Sequence, residues 1–509
     1  MKGRQIVEYI KKKGTSFMKL ILTPLLAATL LFSGCDKDKK STKDENLSQN
    51  ASFALTPKAP EENAEIKVFN QFGEPIEGAQ ILIGDAQGNP FRGNFITTDR
   101  LGSAIIPLDW TAPASVTVDA AGYIRQTLLS MQPSNISIRM NKAYLPQYAE
   151  IRGNVTDLPV KDNDKLIDFA LAMPLMKKSE LLNLDLAQVI SPYNDFISAA
   201  GQRFGVPSNI SLPKQKESYI IGITLDKPVY RLKTPTLGPK KLVSIRGRFV
   251  FKSVVDQLRA GKAFYDVLND FTFYGGGVAD AVAVNPVTNV TIPGNAMIYN
   301  GQVQVAAIPA NADEIPIALA ASEIDGYMIP TDVKRTVAGK ITTLQTLPNA
   351  NTVVINAIKK QSEFMANAPG ADRISASAVP YRAGMQPKLL PLVANPSITN
   401  RENYVINLPA APTTSGINPV VTSAIISDLV ESKEGDIIVL SPVRKWEVIG
   451  FGWTQQISLP KWPQATTERA SAKKRVEINY VGTVNQTIGR NPADIIDSAT
   501  HITHASTDF

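Results

Sequence analysis

The sequence predicts a mainly β protein: an N-terminal β-sandwich followed by a large β-rich region with two short helical insertions. Three observations carry that reading. From Glu65 onward apolar residues alternate with polar ones, which is the period of a half-buried strand. Gly, Pro and Asn punctuate the runs at short intervals, as turns between strands require. Helical signals gather in two places, 192–204 and 253–269.

The first element is an export signal. Residues 20–32 form a mostly apolar run broken by Thr23, Pro24 and Thr29, shorter than the roughly 20 residues that cross a bilayer as a helix. Its length fits a signal-peptide core. Phe32-Ser33-Gly34-Cys35 closes the run, with small residues directly before the only cysteine of the chain. This stretch resembles the lipobox of bacterial lipoproteins. The resemblance implies that Cys35 is lipidated and becomes the N-terminus of the mature chain, so that 1–35 holds the signal peptide and the lipidated cysteine whether translation starts at Met1 or Met18. The alternative is a free thiol buried in a core, and the charged Asp36-Lys37-Asp38-Lys39-Lys40 behind it argues against that. The chain is therefore expected in the bacterial envelope, at the outer membrane or cell surface. The periplasmic face of the inner membrane is the alternative, because an Asp follows the cysteine.

Composition narrows the partners. The formal charge is +7, but the signal holds six of the 53 basic and one of the 46 acidic residues. That leaves 47 against 45, a balance of +2 with no electrostatic footprint for nucleic acid. With its one thiol given to lipid, the mature chain has no cysteine for a disulfide or a thiolate metal site. Apolar content of 44% over more than 400 residues is enough for two or three packed cores.

Residues 36–63 are rich in Lys, Asp, Ser, Asn and Glu and read as a flexible tether with an r.m.s. reach of about 30 Å. Residues 64–145 read as short strands, with Ile66 and Val68, then Ala79, Ile81 and Ile83, then runs at 103–108, 115–119, 124–129 and 136–140. Val68, Gly73-Glu74-Pro75-Ile76-Glu77-Gly78-Ala79, Thr98-Asp99, Leu101-Gly102 and Ala121-Gly122-Tyr123 together resemble the carboxypeptidase regulatory-like, transthyretin-like (Ig-like) sandwich. The resemblance implies a spacer or binding module and carries over no catalytic residue.

Residues 146–214 read as a mixed segment. Strands are expected at 148–157 and 168–173, and a helix at 192–204, where Ser191 caps, Pro192 opens the first turn and Gly205 stops it. Asp162-Asn163-Asp164 offers too few oxygen ligands for calcium. The β-rich C-terminal domain is expected over 215–488. Its helix at 253–269 is divided by Gly261 and ended by Gly275-Gly276-Gly277, read as a flexible turn or lid because no Lys-Ser/Thr follows to make a phosphate loop. Strands then run at 278–284, 296–298, 303–308, 315–321, 352–357, 374–379, 420–429, 436–440, 446–449, 455–459 and 476–481, with long loops at 367–370 and 408–418. The tail 489–509 reads as polar and poorly ordered.

Candidate chemistry is sparse. The two histidines, His501 and His504, sit in that polar tail, so no metal site is expected there, and a His-dependent hydrolase has no base to use. Ser471-Ala472-Lys473-Lys474 has the serine-lysine spacing, but it lies in a charged stretch beside Glu468, Arg469 and Arg475 without companion motifs. Glycoside hydrolysis needs only two carboxylates, and Asp280, Glu314, Glu323 and Asp325 are the candidates. The sharpest signal is aromatic: Trp446, Phe451, Trp453 and Trp462 crowd into a short stretch. Phe451, Trp453 and Trp462 are the candidates for a ligand-binding platform, core packing is the other reading of them, and at least one of Trp446 and Trp453 is expected in the core because their spacing is odd. The expectation is a non-enzymatic, cofactor-free envelope lipoprotein held to the membrane through lipid on Cys35. It binds a protein or glycan partner or acts as a structural or adhesion protein. The alternatives are a carbohydrate-active hydrolase with paired carboxylates and an accessory subunit of an envelope assembly or secretion complex.

Overall fold

The computed structural model describes residues 64–70, 73–85, 95–143, 149–157, 166–175, 195–199, 202–206, 211–212, 215–216, 229–234, 237–260, 262, 264–284, 286–337, 339–360, 373–400, 405–408, 410–434, 437–460, 473–484 and 499–509. The fold is mainly β, as the alternation predicts. Cys35, the tether, the acidic loop at 162–164, the loop at 367–370 and Trp462 lie outside the described residues.

Seven strands follow one another at the start: β1 (Glu65–Asn70), β2 (Gln80–Ile83), β3 (Ile96–Thr97), β4 (Ser103–Ile105), β5 (Ala114–Asp119), β6 (Arg125–Met131) and β7 (Ile136–Met140). β1 takes β4 antiparallel on one side and β7 parallel on the other. β2 pairs with β3 and β5, and β5 with β6, all antiparallel. Ile66 and Val68 of one layer meet Ile81, Val116, Val118 and Leu128 of the other, so the alternating apolar residues form one core. The turn residues act as predicted. Gly102 has φ +72, and a Cβ there would stand 2.5 Å from the Val68 carbonyl oxygen. Buried Thr98 donates to the Ile76 carbonyl (2.7 Å) and accepts the Ala79 N–H (2.9 Å), locking the hairpin.

The middle of the chain holds β8 (Ala149–Asn154), β9 (Leu166–Pro174), β10 (Asp195–Ala199), β11 (Gln202–Val206), β12 (Ser211–Leu212), β13 (Gln215–Lys216), β14 (Val229–Thr234) and β15 (Gly238–Val250). Helices α1 (Phe251–Arg259) and α2 (Phe264–Val267) and a 3-10 turn follow, then β16 (Phe271–Ala283), β17 (Val287–Asn289) and β18 (Met297–Ile298). β15 and β16 form a long hairpin flanked by β9 and β18, while β8 sits between β14 and β17. Phe169 meets Phe271 and Phe273 edge-on, at 6.1 and 5.8 Å between ring centres, beneath Val254 of α1 and Val267 of α2.

Two expectations fail here. The helix at 192–204 is instead the antiparallel hairpin β10–β11, with Ile197 opposite Phe204. Gly201 would sit in the interior of that helix at a cost of about 1 kcal/mol. The triple glycine is no turn or lid, because it lies within β16, paired with Ser244, Ile245 and Arg246 of β15. The helix at 253–269 is present as α1 and α2, with Gly261 falling between them.

The remaining strands are β19 (Gly301–Val305), β20 (Glu314–Ile324), β21 (Tyr327–Arg335), β22 (Thr342–Thr346), β23 (Thr352–Lys360), β24 (Arg373–Pro380), β25 (Ser397–Asn400), β26 (Val405–Asn407), β27 (Asn418–Glu434), β28 (Ile437–Phe451), β29 (Gln456–Ser458), β30 (Lys474–Thr483) and β31 (His501–Asp508). Among the described residues, a 12-stranded sheet runs β21-β20-β23-β24-β31-β30-β27-β28-β6-β5-β2-β3. Its one parallel junction is β28 with β6, Trp446 opposite Arg125 through Ile449 opposite Leu128. Hydrogen bonding thus passes from the N-terminal sandwich straight into the C-terminal sheet. The predicted polar tail is corrected too: its last residues are β31, an interior strand between β24 and β30.

Candidate functional site

The aromatic stretch begins inside β28. Trp446 is 3% exposed and packs with Val448, Ala424, Ile426, Val476 and Ile478. β28 ends at Phe451, and Gly452 turns the chain with φ +77, so strand parity does not govern Trp453. The turn is pinned from below, where Thr422 donates to the Gly452 carbonyl (2.8 Å) and accepts the Thr454 N–H (3.0 Å). Trp453 is half-buried, its indole N–H bonded to the Val481 carbonyl (2.9 Å) and its ring edge-on to Tyr480 at 6.3 Å. Burial pushes the Tyr480 phenol up to about 12, so it stays a donor, bonded to the Thr454 carbonyl (3.0 Å). Phe451, at 36% exposure, presents the most open ring of the three. The structure therefore brings Phe451 and Trp453 to one end of β28, with Trp453 held from behind.

Of the candidate carboxylates, Glu314 and Glu323 stand far apart. Asp280 lies at the surface opposite Lys241 (3.5 Å), and buried Glu314 accepts the Asn311 N–H and side-chain amide at 2.8 and 2.9 Å. Glu323 stands near the other end of β20, nine residues and about 30 Å of strand from Glu314. Asp325 occupies the β20–β21 turn with φ +51. A hydrolase needs its two carboxyl groups about 5 to 9.5 Å apart.

The histidines are placed by β31 rather than left in a tail. Three residues apart on a strand, they point to opposite faces, so they cannot share one metal ion. His501 bonds the Lys388 carbonyl through Nε2 (3.2 Å) and the Thr500 hydroxyl through Nδ1 (2.7 Å). Burial lowers its pKa to about 4, which keeps it neutral. His504 faces Asn479 Oδ1 through Nδ1 (2.9 Å), and the Asn479 amide donates to Ser423 (3.1 Å). Among the described residues, no group of three or more His, Cys, Asp or Glu is set to hold a metal. Lys474 is buried in an ion pair with Asp428 and not in a charged loop.

A buried polar ladder runs along the face of β30 opposite the Trp446 core, and reading the sequence did not find it. Arg475 binds Asp508 through two nitrogens (2.6 and 3.0 Å), Glu477 stands 3.7 Å from Arg444, and Asn479 joins His504 to Ser423. The available signal was Arg475, Glu477 and Asn479 alternating with Val476, Ile478 and Tyr480, a strand with two different buried faces. Paired charges in this position favour one register over its slipped neighbours.

No protein-family model matches the sequence, and no curated protein matches it. Among solved structures, the Bacillus anthracis TIE protein aligns over 64% of this chain and 48% of its own, at 8% identity and a TM-score of 0.14. This chain thus spans about half the length of that protein. The major pilin subunit of Bacillus cereus, BcpA, aligns over 64% of this chain and 94% of its own, at 9% identity and a TM-score of 0.13.

Proposed function

We propose that this chain is a lipid-anchored envelope protein, held by Cys35, that acts without catalysis as a binding or structural module for a protein or glycan partner. The observation that supports it most is the β6–β28 junction. A tether that enters at Glu65 leads into a sandwich whose second sheet is continuous with the C-terminal sheet. Force or position at the anchor is then transmitted through backbone hydrogen bonds rather than through a hinge. The platform at Phe451 and Trp453 lies at the end of β28, which is also one partner in that junction.

The test is tryptophan fluorescence of the full mature chain in detergent, titrated with envelope glycans and peptidoglycan fragments, alongside palmitate labelling of wild type and Cys35→Ala. A saturable shift lost in Phe451→Ala, with label lost in Cys35→Ala, is the expected result. Release of free sugar from the titrant would replace this reading with a hydrolase. Absence of label on Cys35 would remove the anchor.

A further inference from the structure

The sheet formed by β9, β15, β16 and β18 carries a positive charge that no carboxylate among the described residues pairs with. Arg246 of β15 is 9% exposed, and one guanidinium nitrogen donates to the main-chain carbonyl of Asp157. Among the described residues its Nε has no hydrogen-bond partner and no carboxylate pairs with it. The guanidinium lies 4.7 Å from the centre of the Tyr274 ring. An aromatic face softens a buried charge without neutralising it. Buried charges persist where an opposite charge meets them.

A second orphaned donor lies close by. The Tyr299 hydroxyl, on a residue 3% exposed, has no partner among the described residues, and burial pushes its pKa up against the opposing pull of the Arg246 charge. Glycines keep both groups in place. A Cβ on Gly276 would stand 2.8 Å from the Tyr299 oxygen, and one on Gly294 would stand 2.9 Å from Arg246 Cδ. Ser244 fastens the overlying chain by donating to the Pro293 carbonyl (2.6 Å). Toward solvent, half-buried Arg248 has its guanidinium 5.5 Å from the same Tyr274 ring. Asp168 accepts from both Arg248 Nε and the Tyr274 hydroxyl, each at 2.9 Å, so this acid orients the outer pair.

We infer that Arg246 and Tyr299 bind a small oxyanion, with Arg248 and Tyr274 at its mouth. The shared ligand chemistry is a carboxylate or phosphate group. An N–H donor of Arg246 and the O–H donor of Tyr299 suit either, and a cation would be repelled. The inference rests on the binding reading above only in naming an envelope polymer as the carrier of that group. Free anions test the site itself, so a negative result here leaves the envelope reading standing.

The experiment is thermal unfolding and calorimetric titration of the full mature chain with inorganic phosphate, glucuronate and, as neutral control, glucose, at an ionic strength fixed with potassium chloride. Phosphate or glucuronate should raise the melting temperature saturably, and the stronger of the two identifies the carrier as phosphate-bearing or acidic sugar. Arg248→Gln should weaken binding about tenfold, the loss of one charge-assisted contact. Arg246→Met should abolish it. Should Arg246→Met fail to fold, Tyr299→Phe decides, because it removes only an unbonded hydroxyl. It should keep the fold and weaken anion binding. Equal effects of phosphate, glucuronate and chloride would overturn the inference. Unchanged binding in both Arg248→Gln and Tyr299→Phe would overturn it as well.

Discussion

Trp446 donates its indole N–H to the Thr127 hydroxyl at 2.9 Å, joining residues 319 positions apart across the β28–β6 junction. Thr127 in turn meets the Thr117 hydroxyl at 2.8 Å, and Arg125 lies 4.9 Å over the Trp446 ring while pairing with Asp119 at 3.0 Å. The junction is thus closed by side chains as well as by backbone. Thr127→Val is isosteric but leaves two buried partners unsatisfied, at about 1–3 kcal/mol each. The expected loss is about 2–4 kcal/mol in urea unfolding followed by fluorescence. In Trp446→Phe the same valine should cost markedly less, because one of the two orphans is gone.

That junction also marks the limit of what could be read from the chain. Ile66, Val68, Ile81 and Ile83 declared their strands because local alternation and one-sided burial agree. β31 did not, because His501, Thr503 and His504 are polar and are buried only through distant partners. His501 bonds Lys388, Thr503 donates to the Pro391 carbonyl at 3.0 Å, and His504 meets Asn479. Satisfaction at such sequence distance leaves no local period. The aromatic cluster was legible as composition, but the turn at Gly452 that sets Trp453 apart from the strand was not.

The triple glycine gives a prediction that separates a strand from a lid. A Cβ at Gly276 would lie 2.0 Å from the Ser244 carbonyl oxygen, whereas one at Gly326 meets nothing within 4 Å. Gly276→Ala should destabilise by at least about 3 kcal/mol, since the obstacle is backbone in the paired strand. Gly326→Ala carries only the left-handed strain of φ +78, about 1–2 kcal/mol. A lid would rank the two changes the other way in denaturant midpoints.

Phe451 and Trp453 should part company when stability is measured without ligand. Phe451→Ala removes an exposed ring and should cost less than about 1 kcal/mol. Trp453→Phe leaves the Val481 carbonyl without its donor and loosens the contact with Tyr480, at about 1–2 kcal/mol. Matching losses in chemical unfolding would mean that Phe451 is packed as firmly as Trp453.

Asp332 sets one pH slope. It is 1% exposed and accepts the N–H groups of Val333 (2.8 Å) and Gln345 (2.9 Å). Burial outweighs those bonds and the nearby Lys334, raising its pKa from 3.8 to about 6. The folded state then holds a proton that the unfolded state has lost, so stability falls as pH rises from about 4 to about 6. The deficit above that window is about 3 kcal/mol. Asp332→Asn should remove this contribution from melts taken across the window, and at pH 8 it should gain stability, less about 1 kcal/mol for the acceptor oxygen it lacks.

His501 sets the opposite slope. Its pKa falls from 6.5 to about 4 because burial disfavours the imidazolium more than the Lys388 carbonyl supports it, and the Lys388 charge adds to the drop. The unfolded state takes up the proton first, so stability is full above about pH 6.5 and is lost as pH falls toward 4, again by about 3 kcal/mol. Between pH 4 and 6 the two residues therefore work against each other, and together they should leave the wild-type protein nearly flat. His501→Gln keeps a donor for the Lys388 carbonyl but cannot titrate. Its melting temperature should decline with rising pH as the Asp332 slope is left unopposed, whereas Asp332→Asn alone should show the reverse tilt. A profile for His501→Gln that superimposes on wild type would mean that His501 takes up its proton without cost to the fold.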